Sequence, residues 1–192
     1  MTMSQYHFVT HWRVFGTIHE VADILRDVRG LARWWSSVYL DVEILEPGAE
    51  DGFGTVACVC TRGWVTGTLL WQVGITEARY PYGFSVEAWG DVTGHGTWTF
   101  TQDGPFVNVV FDWTMRFDHA LVHLLSFLVK PIVEMHYRRM MARGEENLCI
   151  EVAHRRVVPS VKYSSSLTLA RPGDRALLRR EEPVGGRTLD EW

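Results

Sequence analysis

The sequence predicts an α+β fold in which a curved, seven-stranded antiparallel sheet wraps a long C-terminal helix, with two short helices after the first strand. Three observations predict it. Segment after segment between residues 6 and 117 alternates apolar and polar residues, the period of a strand with one buried face. One long stretch, residues 119 to 156, instead repeats apolar residues at helical spacing and is the natural cover for a sheet with one apolar face. Nine tryptophans, eight of them before residue 114, supply more aromatic bulk than a minimal core requires.

The first strand spans residues 6 to 14, with Tyr6, Phe8, Trp12 and Val14 largely on one face. Thr17 is placed to cap the first short helix, and Glu20, three residues on, completes a capping-box pattern. Gly30 separates this helix from a second turn carrying Leu31, Trp34 and Trp35. Val38, Leu40, Val42 and Ile44 then alternate, and EPGAEDGFGT supplies a turn before a strand over residues 55 to 62. The next strand covers about 64 to 78, with Val65, Leu69, Trp71, Val73 and Ile75 in phase. Pro81 and Gly83 open GFSVEAW, and the glycine cluster GDVTGHG is expected to turn the chain into TWTFTQ. The clearest alternation comes last, with Val107, Val109, Phe111, Trp113, Met115 and Phe117 apolar. In the helix that follows, Leu121, Leu124, Leu125, Leu128, Ile132 and Met135 mark the expected sheet-facing stripe, with Pro131 kinking it and Gly144 weakening it. These elements make residues 1–157 one domain. Residues 158–192, rich in Pro, Gly and Ser and balanced between six basic and five acidic side chains, are expected to be a flexible or loosely docked C-terminal tail, in which VKYSSSLTL still has the makings of an edge strand.

Bulk properties exclude several function classes. A formal charge of -4 and a pI near 6.0 provide no basic field for a phosphate backbone, so nucleic acid is not an expected partner. The most apolar run, ALVHLLSFLV, is too short to cross a bilayer, no signal-peptide pattern opens the chain, and a cytoplasmic location without stable membrane insertion is expected. Cys58 and Cys60 sit two apart on one strand face, where they cannot comfortably bridge, and Cys149 is distant in sequence. With no CxxC pair, HExxH, phosphate loop or EF-hand loop, neither a metal nor a cofactor is expected. The oligomeric state is left open.

Several stretches carry a family resemblance. Trp34-Trp35 is followed by VEILEPG and GFGT, the middle reads GDVTGHGTWTF, then comes VVFDWTMR, and the last helix reads KPIVEMHYRRMMARGEENL. In order and spacing these resemble the SRPBCC superfamily of START-like, helix-grip proteins, and within it the polyketide cyclase/dehydrase and lipid transport branch, over residues 8 to 156. The resemblance implies a cavity between sheet and last helix that accepts a hydrophobic small molecule such as a polyketide or lipid. It carries no invariant catalytic set, so each candidate stands on its own chemistry.

If the apolar faces point inward, Trp71, Trp98, Phe100, Phe111, Trp113 and Met115 line the cavity or simply pack the core. His136, which matches the histidine of the family's last-helix pattern, is a candidate general acid or base, or else a core histidine satisfied by a neighbour. Arg139 lies one helical turn beyond it, and Arg62 follows Cys58 and Cys60 on one strand; either guanidinium suits a ligand oxygen, or sits at a rim with its head in water. Glu87 shares a face with Ser85 and Trp89, which places a carboxylate and an indole inside if that face is the inner one. The candidate catalytic residues are therefore His136, Arg139 and Glu87, and the candidate ligand-binding residues Trp71, Trp89, Trp98, Phe100, Phe111, Trp113, Met115 and Arg62. Asp112 and Arg116 fall on the polar face and read as surface ion-pairing groups; Asp91 and His95 read as turn residues. Three functions follow: a cofactor-free cyclase, aromatase or dehydratase that confines a poly-oxygenated chain; a non-catalytic carrier of a lipid or other hydrophobic metabolite; or an interaction protein acting through its exterior or tail.

Overall fold

A computed structural model describes residues 5–63, 67–117 and 126–157. The chain runs β1 (Gln5–Phe15), α1 (Ile18–Arg26), a 3-10 turn (Val28–Gly30), α2 (Leu31–Trp34), β2 (Tyr39–Glu46), β3 (Val56–Arg62), β4 (Thr68–Ala78), β5 (Gly83–Gly90), β6 (Val92–Asp103), β7 (Phe106–Phe117) and α3 (Ser126–Val157). The seven strands form one antiparallel sheet in the order β1-β7-β6-β5-β4-β3-β2, so the first two strands in sequence are the two edges. Register shifts in β2, after Tyr39 and after Ile44, and in β4, after Ile75, insert the extra residues that bend and twist a strand.

Why the chain turns where it does is visible locally. The Thr17 side chain accepts from the Glu20 N–H while the Glu20 carboxylate accepts the Thr17 N–H at 2.8 Å, so the capping box starts α1 as its spacing predicts. The inner parity of the strands is apolar: Val14, Ala57, Val59, Val107 and Val109 are at most 1% exposed. The glycine cluster departs from expectation. Only Asp91 interrupts the strands there, and β6 already begins at Val92, running on through Gly94 and Gly96. Gly96 is needed for space: a Cβ there would lie 2.7 Å from Phe111 Cε2, because the Phe111 and Trp113 rings lie against its backbone.

The helix α3 presents Val133, Tyr137, Met141, Leu148 and Val152 inward, all buried. Ile132 and Met135, expected on this stripe, are instead 47% and 64% exposed. At about 100° per residue the true stripe is rotated one position from the expected one. Gly144 belongs to it, and a Cβ there would sit 2.7 Å from Trp35 Cε2, so this glycine sets how closely α3 approaches the tryptophan pair after β1. Trp34 and Trp35 stack at 5.3 Å, and Trp35 meets Trp12 edge-on at 5.6 Å. Pro131 lies inside the helix.

Side chains from α3 also reach the β1 edge. The Arg13 N–H donates to Glu145 Oε1 at 2.8 Å, and the Phe15 N–H points to the Cys149 thiol. At its C-terminal end α3 is tied down by ions. Arg33 of α2 makes a bidentate pair with Glu151 at 2.7 and 2.6 Å, Arg155 donates to the same carboxylate at 2.6 Å, and Arg155 reaches Asp27 at 3.3 Å. Arg156 forms a second bidentate pair with Glu20, both bonds at 2.7 Å. The three cysteines are free thiols. Val65, Leu121, Leu124, Leu125 and the tail beyond residue 157 lie outside the described residues.

Candidate functional site

Where sheet and helix part, a partly enclosed cavity of about 160 Å³ remains. Its back wall is aromatic and comes from the inner faces of β6 and β7. Trp98 stacks on Phe111 at 4.0 Å and Phe111 on Trp113 at 5.5 Å, with Met115 continuing the row. These rings lie along the sheet because Gly96 has no side chain to lift them, which is how a sheet dense in tryptophan still leaves space. Leu69, Trp71, Val73 and Ile75 of β4 form a second wall, Leu31, Trp35 and Val38 a third, and Val133, His136, Tyr137, Met140 and Met141 of α3 close the fourth.

Few polar groups enter this space. Trp71 Nε1 donates to the Thr61 hydroxyl at 2.9 Å, and both residues line the cavity. Burial pushes the Tyr39 phenol above its ordinary pKa. It pushes Tyr137 up to about 12, against the opposing effect of the 3.3 Å hydrogen bond with Thr10. Both phenols are therefore neutral throughout the physiological range. His136 has its pKa lowered, first because burial disfavours the imidazolium and then because the Arg139 guanidinium is near. It faces the cavity as a neutral imidazole at pH 7. Arg62, exposed at the end of β3, lies at the cavity rim.

The structure thus places Trp71, Trp98, Phe111, Trp113, Met115, Arg62 and His136 around one cavity. The other candidates lie elsewhere. Phe100 is 2% exposed but packs edge-on to Phe84 at 6.0 Å, in the core beside the cavity. Glu87 and Trp89 share a face as expected, but it is the outer one. The inner residues of β5 are Phe84, Val86 and Ala88, while Glu87 pairs in register with His95 and the Trp89 ring covers Gly74. Arg139 is exposed, since it lies on the far side of α3 from Tyr137 and Met141; it reaches the site only through its field on His136. Asp112 pairs with His7 on the surface at 2.8 Å, and Asp91 accepts the Leu70 N–H at 2.8 Å. Tyr39, Thr61, Trp35, Tyr137, Met140 and Met141 were not anticipated. Thr61 shares strand parity with Ala57 and Val59, and Tyr137 stands four residues from Val133, so strict counting from the buried positions would have found both.

A curved antiparallel sheet gripping one long helix around an apolar cavity defines a helix-grip protein of the ligand-binding type. The family described as polyketide cyclase/dehydrase and lipid transport matches residues 6–149, three quarters of the chain, and the chain belongs to it. No curated protein matches the chain. Among solved structures, the Zhui aromatase/cyclase from Streptomyces sp. R1128 is similar at 18% identity and a TM-score of 0.66, with 82% of this chain and 99% of that chain covered. A Thermus thermophilus protein is similar at 17% identity, TM-score 0.59, covering 76% and 98%. A Thalictrum norcoclaurine synthase point mutant in complex with a transition-state analogue is similar at 12% identity, TM-score 0.56, covering 81% and 99%. At these identities the likeness carries the fold. Among the described residues no helix is long and apolar enough to cross a membrane.

Proposed function

We propose that the protein binds a hydrophobic, carbonyl-bearing small molecule in this cavity and acts on it as a cyclase/dehydratase-type enzyme. The observation that carries the reading is one neutral imidazole, His136, on a wall built mostly of hydrocarbon and aromatic rings. An imidazole with a lowered pKa is a competent base at neutral pH. His136 takes the proton from the carbon between two carbonyls, and the enolate carbon attacks a second carbonyl to form the ring bond. The new alkoxide takes the proton back, and loss of water completes the unsaturation. Confinement supplies proximity and excluded water suppresses competing hydrolysis. The enclosed volume is close to the ~150 Å³ apolar cavity that accepts benzene, so it holds one ring at a time, with the remaining chain at the mouth.

The second reading is non-catalytic carriage of a lipid or hydrophobic metabolite, favoured by the scarcity of titratable groups: His136 and Arg62 are the only histidine and arginine on the described wall. One experiment separates the two. The parent and His136→Ala are incubated with a synthetic poly-β-keto thioester while tryptophan fluorescence reports binding and mass spectrometry reports cyclised, dehydrated product. The enzyme reading expects product with the parent and at least a 100-fold slower rate with the variant, within the usual contribution of a general base of about 10²–10⁴. Saturable binding with no product in either protein is the carrier's signature.

A further inference from the structure

Thr61 places a buried hydroxyl on the cavity wall, at 5% exposure. It sits on the inner face of β3, opposite Leu69 of β4 on one side and Tyr39 of β2 on the other, and all three line the cavity. Its hydroxyl oxygen accepts the Trp71 Nε1–H at 2.9 Å. An indole N–H only donates, so that bond uses a lone pair of the hydroxyl and leaves its O–H proton unspent. Among the described residues the Thr61 side chain makes no other hydrogen bond. A buried hydroxyl proton without an acceptor is costly, and valine, which fills the equivalent inner position at residue 59, would match its shape without that cost. Because the indole occupies the acceptor side, the donor side is turned from Trp71, and the hydrogen bond it receives makes the hydroxyl a better donor.

We propose that the Thr61 hydroxyl is a ligand-contacting donor to a carbonyl oxygen, oriented by Trp71, and that it makes the cavity prefer aromatic ketones to hydrocarbons of the same shape. This rests on the reading of the cavity as a ligand site. Trp71 acts as a positioning residue, holding the hydroxyl rotor through its N–H and contributing apolar wall with its rings. In a cyclisation the same donor meets the oxygen on which enolate charge develops, opposite in role to the base on α3.

The test uses two one-ring probes of matched size, acetophenone and ethylbenzene, titrated by calorimetry into the parent, Thr61→Val, Thr61→Ser and Trp71→Phe, each checked for an intact thermal transition. The parent is expected to prefer the ketone by about 2- to 10-fold, the range of one net hydrogen bond. Thr61→Val should lose that preference and bind ethylbenzene like the parent, Thr61→Ser should keep it, and Trp71→Phe should keep part of it. In the parent alone, the carbonyl stretch of bound ¹³C-labelled acetophenone should lie below its value in a hydrocarbon solvent, a measurement that does not depend on any variant folding. If both probes bind the parent but Thr61→Val retains the ketone preference, or the bound carbonyl stretch equals its hydrocarbon-solvent value, the hydroxyl serves only the indole and the proposal is overturned while the cavity reading stands. If neither probe binds the parent, the cavity reading falls and the Thr61 assignment with it.

Discussion

The two ends of α3 are held by different physics. Toward its C-terminus the helix is fastened to α1 and α2 by paired ions, with Glu151 only 4% exposed between Arg33 and Arg155. Burial alone would raise the Glu151 carboxyl, yet the hydrogen bonds from the two guanidinium groups outweigh it and hold the carboxyl below its ordinary value. From Val133 to Met141 the same helix meets the sheet through hydrocarbon, sulfur and two rings, and it borders empty space. Directional bonds fix the helix where nothing has to enter. Non-directional packing, which tolerates repacking around a guest, occupies the part that borders the cavity.

The comparison is broken most severely at Glu151. Glu151→Ala strands two arginines that are 54% and 32% exposed, so water compensates in part and the cost should fall near 2 kcal/mol, below the 3–5 typical of a fully buried pair. A thermal melt should show it as a loss of several degrees with acetophenone affinity little changed; an undiminished midpoint would mean that packing alone fastens this end. At the boundary of the two regions, Gly144→Ala sets a helix-propensity gain of about 1 kcal/mol against overpacking of about 1–3 kcal/mol into the Trp35 ring. The net expectation is a loss of about 1 kcal/mol together with altered ligand affinity, since Trp35 is also cavity wall. A stabilised variant with parental binding would show that the helix-to-tryptophan distance does not govern the cavity.

The smallest effect belongs to Glu20. Its hydrogen bonds from Arg156 depress its pKa from 4.5 to about 2. A depressed carboxylate stabilises the fold fully above the unfolded value and ceases to do so as pH falls through the folded one, so the relevant window runs from about 4.5 down to about 2. With side chains 33% and 39% exposed the pair is worth under about 1 kcal/mol. Glu20→Gln should therefore flatten acid unfolding modestly in that window and leave the neutral-pH melt nearly unchanged; an identical acid profile would remove this pair from the account.

The strands were legible because period-2 alternation survives wherever one face is buried, and β7 shows it at nearly every position. The glycine cluster misled for a physical reason. Glycine signals a turn when backbone freedom is needed, but at Gly96 the need is room for rings from the neighbouring strand, and that neighbour is unknown to a local reading. The facing of α3 misled because Ile132 and Met135 are apolar and exposed, while Glu151 is charged and buried in an ion network. With the stripe rotated, Arg139 turned outward and Tyr137 inward. Glu87 and Trp89 went astray differently: their shared face is legible from spacing, whereas which face is inner depends on the phase of β5 against β4 and β6. Thr61 ends an alternating run as a polar residue and so resembles a strand terminus more than a wall.

The contacts from α3 to β1 have a bearing on how such a chain avoids its own kind. An open sheet has two edges, and each is a template on which another strand can add. Here the β1 edge has the Arg13 N–H committed to Glu145, and the Phe15 N–H is turned toward the Cys149 thiol, so an incoming strand must first displace side chains of the gripping helix. The β2 edge is guarded by other means, with register shifts near both ends and the exposed acids Asp41, Glu43 and Glu46 along it. The helix that bounds the cavity thereby also shields part of a sheet edge, and variants that loosen its hold on β1 should expose strand backbone as well as a pocket.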